Sequence, residues 1–153
     1  DNVPYFTAFS NQNWPTVKTL SIQNSPTSSL ANNALPALTS LELGKQVAYA
    51  VDITATSLDI IKLPSLNALR LNIPALTDAL HLEDLPQLTS LANCLLDNLG
   101  QLTVTSVPLT TFVELPALVF LGMEGVQFDT FDFALIPTAE IVYIKDSPIR
   151  KLD

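Results

Sequence analysis

His81, Cys94 and a handful of carboxylates are the residues of this chain whose chemistry could drive a reaction. His81, the single histidine, stands in Ala79-Leu80-His81-Leu82-Glu83-Asp84, and an imidazole beside a glutamate is a pairing that general bases use. Its two neighbours are leucines, however, which is the alternation of a strand with leucines inward and the histidine outward. No serine or cysteine nucleophile is brought to it by the spacing, so a surface histidine is expected. Cys94 is the single cysteine and has nothing basic beside it to lower its pKa. It stands where other segments carry Gln23, Gly44, Asn72, Glu124 and Lys145, an exposed position, but a space-filling thiol is the expectation.

The close acidic pairs Glu83–Asp84 and Asp129–Asp132 offer oxygens of the kind calcium accepts. Neither sits in an EF-hand loop or in the Gly-rich aspartate spacing of calcium-binding repeats, so solvated acidic corners are expected. Thr54-Ala55-Thr56 and Thr103-Val104-Thr105 suggest an ice-binding face, which ranks of Thr-x-Thr on a flat solenoid can form. Such an array needs the pair on every coil, whereas the segment between them offers Leu80-His81-Leu82; strand preference of β-branched residues explains these threonines better. No catalytic residue, cofactor or metal is assigned, and the chain is not expected to be an enzyme.

What must position these side chains is a repeat. Leu-Pro-x-Leu-x-x-Leu occurs at 35–41, 63–69, 85–91 and 115–121, with looser copies from Trp14-Pro15 to Leu20 and from Ile136-Pro137 to Val142. The motif prolines are 21, 28, 22, 30 and 21 residues apart, which reads as a unit of about fifty residues made of one short and one long coil. Two residues past the last motif leucine another apolar side chain follows, as Ile22, Leu43, Leu71, Met123 and Ile144, with Asn93 the exception. That alternation predicts a strand with one face inward. A second set of alternating stretches lies between, at 51–54, 80–83, 102–105 and 131–133, where Phe131 and Phe133 share a face expected to be core. Outside Leu95–Leu99 no stretch shows helical periodicity, and four glycines against eleven prolines predict corners of proline and polar residues.

The expected fold is therefore mostly β, a right-handed parallel β-solenoid of about six coils of 21–30 residues, each unable to bury its apolar side except against its neighbours. A horseshoe with short helices or 3-10 turns on its outer side is the alternative. At 153 residues the chain is one domain, with 1–16 as an aromatic cap (Tyr5, Phe6, Phe9, Trp14) and 17–153 as the repeats. With 48% hydrophobic and 14% charged residues it is too apolar for disorder, and no apolar run is long enough to span a membrane. A formal charge of −8 repels phosphate backbones, so nucleic acid is not an expected partner. One cysteine excludes an internal disulfide, and no Asn-x-Ser/Thr sequon occurs. The start at Asp1, without a leader, suggests a processed segment.

The stretches TLSIQNSPTSSL (19–30), VDITATSLDIIKLPSLNAL (51–69) and IVYIKDSPIRKL (141–152) resemble the repeats of leucine-rich-repeat proteins of the receptor L-domain type and of bacterial leucine-rich surface proteins. A corner asparagine, present in many such repeats, appears here as Asn24 and Asn72, while the Gly-Gly corner and cysteine-rich caps of those families are missing. The resemblance implies a noncatalytic recognition or adhesion module, secreted or at the cell surface, that binds a protein or glycan through an outward strand face. The outward residues Glu42, Arg70, Asn72, Phe120, Glu124, Tyr143 and Lys145 are the candidates for that contact. The repeat pattern still runs at 141–152, so either the natural protein continues or its last edge pairs with another chain; the alternative function is a self-assembling structural subunit, a filament or surface layer, whose edge is built by Ile141, Tyr143, Ile149 and Leu152 and whose partners are copies of itself.

Overall fold

In a computed structural model the Leu-Pro-x-Leu motif is a tight turn. The structure describes residues 13–23, 35, 37–38, 40–44, 57–72 and 76–152. In each motif the fourth residue's N–H donates to the first residue's carbonyl: Leu66 to Leu63 (3.2 Å), Leu88 to Leu85 (3.0 Å) and Leu118 to Leu115 (3.2 Å). Proline suits the second place of such a turn because its fixed φ matches and it has no N–H to lose. Both leucines then point the same way, and all six named here are fully buried.

Among the described residues ten strands result: β1 (Thr19–Gln23), β2 (Ser40–Gly44), β3 (Ser57–Ile61), β4 (Ala68–Asn72), β5 (Ala79–Glu83), β6 (Gln101–Thr105), β7 (Phe120–Glu124), β8 (Thr130–Phe131), β9 (Ile141–Lys145) and β10 (Lys151–Leu152). Every pairing is parallel: β1-β2-β4 form one sheet, β3-β5-β6-β7-β9 a second, and β8 with β10 a short third. Among the described residues the one helical element is a 3-10 turn over Phe133–Leu135, capped by the Asp132 carboxylate accepting from the Ala134 N–H at 2.8 Å. The chain is a parallel β-solenoid of about five turns, mostly β, and the described residues show none of the outer helices of the horseshoe alternative.

The five-stranded sheet shows why the stack holds. Strands start 22, 22, 19 and 21 residues apart, so each turn returns the chain one strand spacing higher. Leu58, Leu80, Leu102, Leu121 and Val142 stack in register, as do Ile60, Leu82, Val104, Met123 and Ile144. In β3 to β7 these side chains are buried, and in β9 they are only partly covered. The residue after each of these strands takes a left-handed φ, namely Lys62 (58°), Asp84 (54°), Ser106 (56°), Gly125 (73°) and Asp146 (50°). The N–H of each of the first four donates to the carbonyl ending the next strand up, at 2.9–3.1 Å. One corner is thus a hydrogen-bonded ladder, and Pro64, Pro86, Pro108 and Pro148 each follow its left-handed residue by two positions.

The fifty-residue unit does not survive, because the motif serves two different corners. At 63–66 and 85–88 it follows a strand of the five-stranded sheet; at 115–118 and 136–139 it precedes one. Leu121, Met123 and Ile144 therefore join the rank of Leu80 and Leu82, and not that of Leu20, Leu41 and Leu69 as the repeat suggested. The same turn without proline occurs at Leu96-Asp97-Asn98-Leu99, where Leu99 donates to Leu96 at 3.0 Å; this is the stretch in which helical spacing was visible, and it is not a helix. Leu91–Leu95 does not form a strand either: Cys94 turns back onto the Leu91 carbonyl at 2.9 Å, and only the Leu95 N–H reaches the Leu71 carbonyl. Asn93, the one gap in the apolar pattern, marked that spot. Residues 131–133 likewise belong to no strand of the five-stranded sheet, since β8 pairs with β10. Residues 1–12 of the expected cap and 51–54 of the second strand set lie outside the described residues; Trp14 is partly buried against the core.

Candidate functional site

Strand alternation sets three outward ranks across the five-stranded sheet. They are Ser57, Ala79, Gln101, Phe120 and Ile141; then Asp59, His81, Thr103, Gly122 and Tyr143; then Ile61, Glu83, Thr105, Glu124 and Lys145. His81 is outward as expected, with Nδ1 3.7 Å from Asp59 Oδ1 and Nε2 3.6 Å from Glu83 Oε2. Asp84, one place on, is a corner residue of the ladder and not part of that row. Among the described residues no three His, Cys, Asp or Glu groups converge as a metal site would require. Thr103 and Thr105 both face outward on β6, flanked by His81 and Glu83 on one side and Gly122 and Glu124 on the other; Thr54 and Thr56 lie outside the described residues.

In the first two ranks the face changes along the stack, mainly polar from β3 to β6 and apolar at β7 and β9, while the third begins with Ile61 and ends in Glu124 and Lys145. Ile141 and Tyr143, adjacent outward positions of β9, are 56% and 55% exposed. Beside them Phe120 lies across Gly122: a Cβ built there would sit 3.2 Å from the ring, which would have to give by a few tenths of an ångström. The polar border is an ion pair, Lys145 Nζ donating to Glu124 Oε1 at 2.7 Å, with Asp146 Oδ2 at 3.3 Å. The hydrogen bond it donates to Glu124 first, then that to Asp146, holds the lysine pKa above its ordinary value. Val119, just before β7, is 43% exposed.

The seven candidate contact residues do not share one row. Phe120, Glu124, Tyr143 and Lys145 meet on the five-stranded sheet, while Glu42, Arg70 and Asn72 belong to the β1-β2-β4 sheet. The motif's change of corner is the reason for the division. In the second group Arg70 Nη1 stands 3.9 Å from Glu42 Oε1 at the mouth of a groove of about 600 Å³. Ala68 of β4 lines it too, as do Ala92, Asn93 and Leu95, where 91–95 leave the strand path. Behind that wall is Cys94, buried, with Sγ donating to the Leu69 carbonyl at 3.6 Å. Burial pushes its thiol up to about 12, so it is a neutral filler and not a nucleophile.

Of the four residues assigned to an assembly edge, Ile141 and Tyr143 stand on β9, Leu152 on β10 at 60% exposure, and Ile149 is half-covered between them. Phe131 and Phe133 part company: Phe131 is core, stacked on Phe128 at 5.8 Å, while Phe133 is 38% exposed and meets it edge-on at 5.2 Å. The end of β8 at Phe131 and the following 3-10 turn rotate Phe133 outward. Missed by spacing alone was Gly122, whose signal is a glycine inside an apolar strand pattern. Among the described residues no helix is long and apolar enough to cross a membrane. Comparison with family models, with curated proteins and with solved structures gives no match.

Proposed function

We propose that this chain is a noncatalytic recognition module, binding a protein or glycan partner through the outward face of β7 and β9. The observation that supports it is the patch of Phe120, Ile141 and Tyr143, apolar side chains held in solvent on a rigid parallel sheet beside the Glu124–Lys145 pair. Exposed apolar surface rimmed by charge is the usual mark of a contact site, and tyrosine adds a hydroxyl for polar recognition. The leucine-rich-repeat likeness, carried by the Leu-x-x-Leu turns, favours the same reading by analogy, along with a secreted or surface location.

A panel of immobilised glycans and extracellular proteins, probed with the wild-type chain and with Tyr143→Ala and Ile141→Ser, tests it. The expected result is a binder whose signal falls at least tenfold in both variants while the melting temperature holds. A binder indifferent to both changes would remove this face from the function.

A second reading, self-association, is favoured by one specific feature: Ile141 and Tyr143, adjacent outward side chains of β9, are each more than half exposed.

A further inference from the structure

We infer that the partner of this face is an uncharged carbohydrate, stacked on the ring of Phe120 and hydrogen-bonded by the side chains of Gln101, Thr103 and Thr105 on β6. The inference rests on the recognition reading and names its partner class. Its first support is what Gly122 leaves open. A Cβ at 122 would stand 3.2 and 3.4 Å from Cε1 and Cζ of Phe120 and 3.8 Å from Oγ1 of Thr103. The ring thus fills the place a side chain of 122 would take, with the Thr103 hydroxyl beside it. Phe120 is half-buried, so part of the ring remains in solvent, and Tyr143 bounds it on the far side of Gly122. A sugar presents C–H groups on its flat face and hydroxyls around its rim, and it needs an apolar platform with a few polar groups placed beside it.

The second support is that those polar groups are present and unengaged. In register, Gln101 lies beside Phe120, Thr103 beside Gly122 and Thr105 beside Glu124. Gln101 is exposed and both threonines are half-buried. Among the described residues no side-chain hydrogen bond engages any of the three. An amide offers two donors and an acceptor, and each hydroxyl donates and accepts, which matches the mixed rim of a sugar.

Other partners fit the same face less well. An anionic ligand needs a cation, and Lys145, the one lysine or arginine in the three outward ranks, is held by Glu124 at 2.7 Å and Asp146 at 3.3 Å. An extended peptide that adds as a strand needs a free edge, whereas β6 is paired with β5 and β7, and β7 with β6 and β9. A flat apolar protein surface would cover the Gln101 amide and the threonine hydroxyls without giving them partners, which costs free energy. A neutral, hydroxyl-rich ligand leaves none of these groups unmatched.

Saturation-transfer NMR on the full chain tests this with neutral oligosaccharides built from glucose, galactose, mannose, xylose or N-acetylglucosamine, and with heparin as the anionic control. The expected result is transfer to the C–H protons of at least one neutral sugar, with an affinity unchanged between about 0.05 M and about 0.5 M salt because no net charge is matched. Phe120→Leu keeps apolar bulk and removes the ring, and should weaken binding at least tenfold. Thr103→Val keeps the branched shape and removes the hydroxyl, and should weaken it several-fold. Gln101→Ala, at an exposed position, should do the same and keeps the test decisive if the ring variant lowers the melting temperature. A neutral sugar bound equally well by wild type and by these variants overturns the inference, as does a panel in which heparin alone binds. If no sugar binds while an immobilised extracellular protein does, and that binding is lost in Tyr143→Ala, the partner is a protein: the inference falls and the recognition reading stands. If neither sugar nor protein binds, both fall.

Discussion

Cys94 is held neutral by its surroundings, and this has a measurable consequence. Its folded pKa is raised to about 12 by burial, against an ordinary value of 9.0. The unfolded chain therefore gives up this proton as pH rises past 9 while the folded chain keeps it. The associated stability is complete below that point and is lost as pH climbs toward 12, at about 1.4 kcal/mol per pH unit. Urea unfolding at several pH values should show wild type losing stability relative to Cys94→Ala across this window. Parallel curves would mean the thiol titrates alike in both states. The same burial predicts that a thiol reagent labels Cys94 slowly until denaturant is added.

At the scale of elements, the left-handed corner is where local preference and fold disagree. Four of its five residues are Lys62, Asp84, Ser106 and Asp146, and only Gly125 is a glycine. A side chain in that conformation costs free energy, which the ladder of N–H to C=O bonds along the corner offsets. Ser106→Gly should therefore stabilise the protein by about 1 kcal/mol, and Ser106→Val should destabilise it, since branching at Cβ is least tolerated there. Thermal unfolding of the two variants decides it; a lower melting temperature for the glycine variant would show that the Ser106 side chain contributes more than its backbone strain costs.

For the molecule as a whole, stability should be graded along the stack, because a coil is buried only by the coils on either side of it. Leu102 lies between two layers and is fully buried, whereas Ile144 has a layer on one side and is half-covered. Leu102→Ala should cost about 2–5 kcal/mol and Ile144→Ala distinctly less, about 1 kcal/mol. Equal losses in denaturant unfolding would mean that the β9 layer is as well covered as the centre.

The local sequence was enough for the turn, for the strands that follow it other than at Leu91–Leu95, and for the inward sense of each leucine, because a β-turn and a two-residue alternation depend only on neighbours. It also sufficed to place His81 outward, and Phe120, Glu124, Tyr143 and Lys145 on one surface. It could not say which corner a Leu-Pro turn occupies. The turn between Leu63 and Leu66 and that between Leu115 and Leu118 are locally alike, and they differ only in whether a strand of the five-stranded sheet comes before or after. That assignment depends on which strands pair across some twenty residues of intervening chain, a property of the stacked core. From it follow the separation of Arg70 from Tyr143, the burial of Cys94 behind a broken strand, and the apolar outward face shared by β7 and β9. Those features exist only once coils lie on one another, because each is defined by what the neighbouring coil covers or leaves bare.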